Sequence, residues 1–450
     1  MRYIFNFVRN MMKKLSIKFY LLAVIGVGAL ILLGLSSDNS AAAKDKNFYK
    51  DIKTFSEVLD MVRKNYVDDV DTTNLMQGAI NGMIRSLDPH SSFMTPDLYK
   101  ELEVETQGQF GGVGIEIMLI KDILTVVSPI EDTPAFRAGL KPGDQILKID
   151  GKSTKDITIM EAVKQLRGAK DTKVTITIMR EGMAAPKDIT LTRAIIQVKS
   201  VKHKKLEDNV SYIRIAAFQD RTADDLRKAL RELDDKNKPM KGLILDLRND
   251  PGGLLTQAID VSDIFLKSGT IVSTRGRVKA METKSVAKND NNEISCPIVV
   301  LVNEGTASAA EIVAGALQDN GRALIVGTQT FGKASVQTVI PLEDGSALKL
   351  TTARYYTPNG RSIQAEGITP DIIVPFIKGA EEAESVTDKE ERIREKDLKG
   401  HIKPDKDDGT KVDGGQSRDT KDPLDLEKDN QLQTAVDILK SWNIMKSIKK

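Results

Sequence analysis

The sequence predicts a multidomain α/β protein with an N-terminal helical module, a small β/α domain and a larger α/β core. Three observations predict it. At 450 residues the chain is longer than one ordinary hydrophobic core supports, so two or more domains are expected. Between residues 44 and 103 apolar side chains recur at helical spacing. From about 196 to 378 short apolar runs alternate with helical stretches, the pattern of a sheet with at least partly parallel pairing.

The chain opens with a basic segment, Arg2, Arg9, Lys13, Lys14 and Lys18, ahead of an uncharged run from Phe19 to Leu35. As a helix that run would span about 26 Å, close to the minimum for crossing a bilayer. The basic flank should stay cytoplasmic and the remainder should be exported. Ala41-Ala42-Ala43 offers a small-residue cleavage site. Residues 1–43 are therefore a signal peptide or a retained membrane anchor, and both readings stand. Either one places the working domains outside the cytoplasm, in the periplasm or cell envelope, anchored to the inner membrane if the segment is kept.

Residues 44–103 form the helical module. Phe55, Val58, Leu59 and Val62 fall on one helical face. Leu75 to Ile84 has similar spacing, and Leu87-Asp88-Pro89-His90 ends that helix. The module suits packing or homo-oligomer formation rather than chemistry, and His90 reads as a structural turn residue. Residues 104–195 form a second unit. Its short runs Gly114 to Met118 and Leu124 to Val127 are bounded by turns, and Pro142-Gly143-Asp144 precedes the strand Gln145 to Ile149. A helix follows at Ile159 to Leu166, then the alternating strand Val174 to Ile178. In the core at 196–378, Leu243 to Leu245, Ile298 to Val302 and Ala323 to Val326 read as buried strands. Helices are expected at about 254–265 and 308–318. Residues 379–430 are dense in charge and should be loosely held. Residues 431–450 form a last helix able to dock.

Composition narrows the function. Net charge is +2 and aromatics make up 5%, which argues against nucleic acid as a partner. The single cysteine, Cys296, begins a strand-like run and reads as a buried apolar residue. Only three histidines occur, at 90, 203 and 401, so a hydrolase here has little imidazole to use as base. There is no HExxH, no P-loop and no G-x-S-x-G elbow. Ser285-Val286-Ala287-Lys288 matches S-x-x-K but lies in a polar stretch without companion motifs. No metal or cofactor is expected.

Two segments carry the chemistry. Ser308 lies in Gly305-Thr306-Ala307-Ser308-Ala309-Ala310-Glu311, where a strand hands over to a helix. Ser308 with Glu311 also spells a helix-start capping box. Lys333 lies in Phe331-Gly332-Lys333-Ala334 and Gln337 follows four residues on. A serine hydroxyl needs a base, and a buried lysine can be neutral enough to serve. On a strand Lys333, Ser335 and Gln337 would point the same way, on a helix Lys333 and Gln337 would be neighbours one turn apart, and in either case Gln337 could hold the amine without adding charge.

Here the chain resembles a known family. Gly111-Gly112-Val113-Gly114-Ile115, Ala138-Gly139-Leu140-Lys141-Pro142-Gly143-Asp144 and Ile149-Asp150-Gly151 look like a PDZ domain. Asp246-Leu247-Arg248-Asn249-Asp250-Pro251-Gly252-Gly253, with the Ser308 and Lys333 segments, resembles the carboxyl-terminal processing (tail-specific) proteases. The resemblance runs from about 50 to 378. Ala310 stands where many members carry a second serine, and Asp250 where Asn is common. The resemblance implies a crotonase/ClpP-like α/β protease core and a Ser308-Lys333 dyad assisted by Gln337. It implies an oxyanion hole from Ala309 with Gly252 or Gly253. It also implies peptide capture at Gly112, Val113, Gly114 and Ile115, with Arg167 in control of access. The expected partners are protein or peptide substrates with free C-termini. A non-catalytic adaptor would leave the Ser-Lys-Gln set without purpose. An acyl-CoA enzyme on a crotonase-like fold would leave the PDZ-like unit and export unexplained.

Overall fold

The computed structural model describes residues 48–448 apart from 121, 131, 235–238, 280–281, 290–293, 378–393 and 404–428. The expected leader at 1–43 and most of the charged stretch therefore lie outside the described residues. The chain divides into two units, residues 1–80 and 81–450. In the first, helix α1 (residues 48–65) carries the face expected from its spacing, with Phe55 and Val58 exposed. Helix α2 (Thr72–Arg85) begins there, its first turn capped by the Asp71 carboxylate, which accepts the Thr73 N–H at 2.7 Å.

In the second unit α2 stops just before Asp88, whose carboxylate accepts the N–H groups of His90 and Ser91 at 2.8 and 2.7 Å. That turn feeds β1 (Ser92–Met94), which pairs antiparallel with a distant strand of the core. Helix α3 (Pro96–Gln107) then runs across the boundary expected at residue 103. A three-residue strand has no periodicity to read, so sequence could not show that this stretch already belongs to the core.

The small domain is inserted between β2 (Gln109–Gly112) and β9 (Ala194–Gln197), which pair antiparallel with each other. Inside it come β3 (Ile115–Ile120), β4 (Ile123–Pro129), α4 (Pro134–Arg137), β5 (Gln145–Ile149), β6 (Lys152–Ser153), α5 (Ile159–Leu166), β7 (Lys173–Met179) and β8 (Lys187–Thr192). Its sheet runs β3-β4-β5-β7-β8, so β3 is an edge. The core is filled by Leu124, Ile146, Ile149, Ile176 and Ile178, all fully buried. Alternation along β7 puts Val174, Ile176 and Ile178 inside and the threonines between them outward.

The large domain continues with β10 (Val201–Lys205), β11 (Val210–Ile215), α6 (Thr222–Leu233), β12 (Gly242–Asp246), α7 (Leu255–Phe265), β13 (Thr270–Gly276), β14 (Thr283–Val286), β15 (Ile298–Val302), α8 (Ala309–Asp319), β16 (Ala323–Gly327), β17 (Ser335–Pro341), β18 (Ala347–Tyr356), β19 (Ile372–Ile373) and α9 (Asn430–Ile448). One sheet has the order β10-β11-β12-β15-β16-β19, parallel throughout except for β10. Helices cover both faces, as parallel strands require. Leu243, Leu245, Ile298, Val300 and Val302 pack with α6, α7 and α8. Ile244, Val299 and Leu301 point the other way, onto Leu432, Ala435, Val436 and Leu439 of α9. Those four fall at i, i+3, i+4 and i+7, so the last helix docks along one stripe. A second, antiparallel sheet holds β1, β18, β13 and β14, with β17 on β18. The architecture is the α/β arrangement expected, plus this second sheet.

A buried ionic network fixes α9 to the loop after β12. Asp246, fully buried, accepts Arg248 Nε at 2.9 Å, Arg248 Nη2 at 2.7 Å and the Tyr212 hydroxyl at 2.7 Å. The same guanidinium meets the Asp429 carboxylate at 3.0 and 2.8 Å and Gln431 Oε1 at 3.0 Å. Removing one partner of such a cluster strands a buried charge, at about 3–5 kcal/mol. Arg248→Ala should therefore lower the unfolding free energy obtained from urea titration by an amount in that range. Fluorescence of Trp442, the only tryptophan and a residue of α9, reports the helix leaving.

Candidate active site

Three loops meet at the C-terminal ends of β12, β15 and β16, where open α/β sheets place their ligands. Asn303 and Asn249 lace the first two, Asn303 Oδ1 accepting the Asn249 N–H at 2.8 Å and Asn303 Nδ2 donating to Asn249 Oδ1 at 2.9 Å. The Thr306 hydroxyl donates to Leu247 O at 2.8 Å, and the Ala307 N–H donates to Asp250 O at 2.9 Å. The Phe331 N–H reaches Thr306 O at 3.0 Å and brings in the third loop.

Ser308 sits at the turn into α8 with φ 53° and ψ −115°. A residue with a side chain is strained there by about 1–3 kcal/mol, and such strain persists only where surroundings impose it. Its hydroxyl makes no capping bond. The capping is done by Glu311, whose Oε2 accepts the Ser308 N–H at 2.8 Å. The same oxygen accepts the Lys333 N–H at 2.9 Å. Glu311 Oε1 accepts the Gly332 N–H at 2.8 Å and the Thr330 hydroxyl at 2.5 Å. One carboxyl group thus holds the backbones of both expected catalytic residues. Tyr355, buried on β18, lies behind them, its hydroxyl donating to Ser308 O at 3.0 Å and touching Lys333 O. Gly332 has φ 96°, and a Cβ there would meet Gly367 N at 3.0 Å, so only glycine brings the chain this close.

Burial draws the Lys333 amine below the ordinary lysine range, helped by the nearby Lys349 cation and opposed by Glu395, Glu311 and Asp88. Burial also raises the Glu311 carboxyl to about 7, against the four donors that favour its charged form. Among the described residues no hydrogen bond joins Ser308 Oγ to Lys333 Nζ. Gln337 differs from the expectation. Its amide donates to Ser335 Oγ at 2.8 Å and to Ser335 O at 3.2 Å, not to the lysine. Lys333 precedes β17, and the register shifts between Val336 and Gln337, so simple alternation does not carry from 333 to 337.

Gly252 packs directly on the serine, since a Cβ there would meet Ser308 Cβ, Ala307 O and Ala309 N at 2.8 Å. Its own N–H donates to Asp250 Oδ1 at 2.8 Å. Gly253, the next residue, is exposed with φ 141°. Ala309 is the first residue of α8, so its N–H has no intrahelical acceptor.

The sequence reading missed Glu395. It belongs to the charged stretch expected to be loosely held, yet it is fully buried. Its Oε2 lies 2.7 Å from His90 Nε2, and its Oε1 accepts Gln364 Nε2 at 2.8 Å. Gln364 Oε1 in turn accepts the Ala334 N–H at 2.9 Å, beside the lysine. His90 is thus part of the wall of the site, a link of 305 residues that no local pattern reveals. Cys296 is buried, and burial lifts its thiol to about 11, as suits an inert core residue.

In the small domain, the edge strand β3 lies beside α5. Gly112, buried Val113 and Gly114 form the loop entering β3 at Ile115. Gly114 has φ 79°, and Thr133 fills the space a Cβ would take, at 2.3 Å. Arg167 ends α5. It pairs with Glu101 of α3 at 3.1 Å and lies 4.9 Å from the Phe110 ring centre. It therefore ties the end of α5 to the helix leading into the domain.

Comparison with known proteins agrees with this layout. The model of Peptidase family S41 matches residues 209–374, a PDZ domain matches 111–191, and the activating protease CtpB N-terminal domain matches 33–97. A carboxy-terminal-processing protease of Bartonella bacilliformis is 45% identical over 94% of this chain and 95% of its own. Carboxy-terminal processing protease CtpA of Bacillus subtilis is 36% identical over 80% of this chain and 78% of its own. A solved photosystem II D1 C-terminal processing protease shares 30% identity, with a TM-score of 0.43 over 71% of this chain and 92% of its own.

Glu311 yields a signed prediction. Its folded value of about 7 lies above the unfolded 4.5, so the folded state holds a proton the unfolded chain releases. Its contribution is fully present below pH 4.5 and is lost as pH rises through about 7. Glu311→Gln should flatten the fall in melting temperature across that window, measured by calorimetry in a pH series.

Proposed function

Because this chain belongs to the carboxy-terminal processing protease family of S41 serine peptidases, we propose that Ser308 and Lys333 form its catalytic dyad, with Gln337 as their assistant. The observation that carries this reading is Glu311, which accepts the backbone N–H of both residues on one oxygen. The lysine's burial supports its role, since a neutral amine can take the hydroxyl proton.

The Lys333 amine swings onto Ser308 Oγ and removes its proton as Oγ attacks the scissile carbonyl carbon. The carbonyl oxygen becomes an oxyanion, held by the N–H groups of Ala309 and Gly253. The Lys333 ammonium returns its proton to the leaving amine, and the acyl-serine remains. Water, deprotonated by the same amine, attacks the ester and releases the new carboxyl terminus and Ser308. Gln337 gives up Ser335 to hold the amine during these transfers, without the charge that would keep the amine protonated.

Substrate selection follows from the free edge of β3. A substrate's C-terminal segment adds as a strand between β3 and α5, with its carboxylate on the N–H groups of the Gly112-Val113-Gly114-Ile115 loop. Arg167, bound to Glu101, couples that face to α3. The basic, then apolar N-terminus supports an extracytoplasmic enzyme, its leader cleaved or kept as an anchor.

Cleavage of an unfolded protein with an apolar free C-terminus should fall at least about a thousandfold in Ser308→Ala and in Lys333→Ala, and about tenfold in Gln337→Ala. Activity surviving either of the first two would overturn the dyad. The wild-type rate should climb with pH as the Lys333 amine deprotonates. A peptide ending in an amide should be cut with a lower kcat/KM than the same peptide with a free carboxylate, and equal values would remove the tail-recognition step.

A further inference from the structure

Asp250, beside the site, holds a buried carboxyl oxygen without a hydrogen-bond partner among the described residues. It is fully buried. Oδ1 accepts the Gly252 N–H at 2.8 Å, and its backbone oxygen accepts the Ala307 N–H at 2.9 Å. Oδ2 is buried and has no hydrogen-bond partner among the described residues. An ionised carboxylate in that setting would keep one oxygen stripped of water and unpaired, which costs several kcal/mol. The charged groups that act on it are Arg214 of β11 and Asp246 of β12. Arg214 lies 3.5 Å from Asp246 and already serves that anion, while Asp246 adds like charge.

We infer that Asp250 works as a neutral carboxylic acid, a positioning residue that sets the Gly252-Gly253 turn against Ser308 while keeping negative charge away from the oxyanion donors. The inference rests on the catalytic reading given above and assigns a role to a residue outside the dyad. As an acid, Oδ1 still accepts the Gly252 N–H, which commits that glycine inward and leaves the Gly253 N–H for the substrate oxygen. Its backbone carbonyl simultaneously holds Ala307, the residue before the nucleophile. A carboxylate in the same place would put a full negative charge one residue from the turn on which negative charge must develop. Burial pushes the Asp250 carboxyl well above the usual carboxylate range, ahead of the opposing pull of Gly252 and Arg214.

Infrared difference spectra of wild type against Asp250→Asn at neutral pH test the protonation state directly. The expected result is loss of one protonated-carboxyl C=O band that shifts in heavy water. Loss of carboxylate bands instead would overturn the inference. Kinetics test the consequence. Asp250→Leu, which cannot accept the Gly252 N–H, should lower kcat at least about a hundredfold. Asp250→Asn, which keeps the acceptor and carries no charge, should recover activity to within about fivefold of wild type. Folding of both variants is checked by near-ultraviolet circular dichroism. An asparagine variant that is folded yet as slow as the leucine one would show that the anion is needed, and would also overturn the inference. Should Ser308→Ala keep cleaving, the dyad falls while the infrared result stands, so the two failures are separable.

Discussion

The site depends on one buried carboxyl group. Glu311 lies in the first turn of α8 and gathers four donors from two segments. Three are backbone N–H groups that a turn into a helix and an extended loop would otherwise leave unpaired inside the protein. The strained backbone of Ser308 and the close approach of Gly332 both follow from that arrangement. Strain at Ser308 persists because Glu311 and Tyr355 hold its N–H and C=O from opposite ends.

A second layer supports the first. The loop after β12 begins with Asp246 and Arg248, locked to Tyr212, Asp429 and Gln431, and ends with the turn that touches Ser308. The C-terminal helix therefore does more than cover apolar strands. Asp429 just before it and Gln431 in its first turn complete an ion network on Arg248, in the same loop as the Gly252-Gly253 turn. In the same way Glu395 reaches from beyond the large domain to His90 on one side and Gln364 on the other. Distant chain segments hold the walls of the site, and local sequence supplies its floor.

Much of this was legible in the sequence. The helix Ile159–Leu166 and the strand Ile298–Val302 fall on the expected residues because their apolar patterns are unbroken. Ser308 and Lys333 could be singled out because their segments occur together with 246–253 in the order and spacing of the carboxyl-terminal processing proteases. Gln337 was placed by its spacing from Lys333 and by the resemblance, and the register shift between Val336 and Gln337 is not legible in either. Strand β1 was too short to show alternation, and its partner lies more than 250 residues on. Glu395 sits in a run of charges that looks solvated, and only the fold reveals that this one is enclosed. Tyr355 is hidden for a different reason, since a tyrosine in a strand normally reports packing and not a hydrogen bond to the backbones of Ser308 and Lys333.

Both crossings between the inserted domain and the rest pass through β2 and β9, where Gln109 faces Gln197 and Gly112 faces Ala194. In an antiparallel ladder such partners stand only about 5 Å apart. The domain is thus a bead looped out of a continuous thread, entered and left through one strand pair. Its removal would leave ends that a tight turn can rejoin, and the α/β body on either side could keep its own strand order. Such a layout lets capture modules be exchanged in the course of descent without redesigning the machinery that cuts.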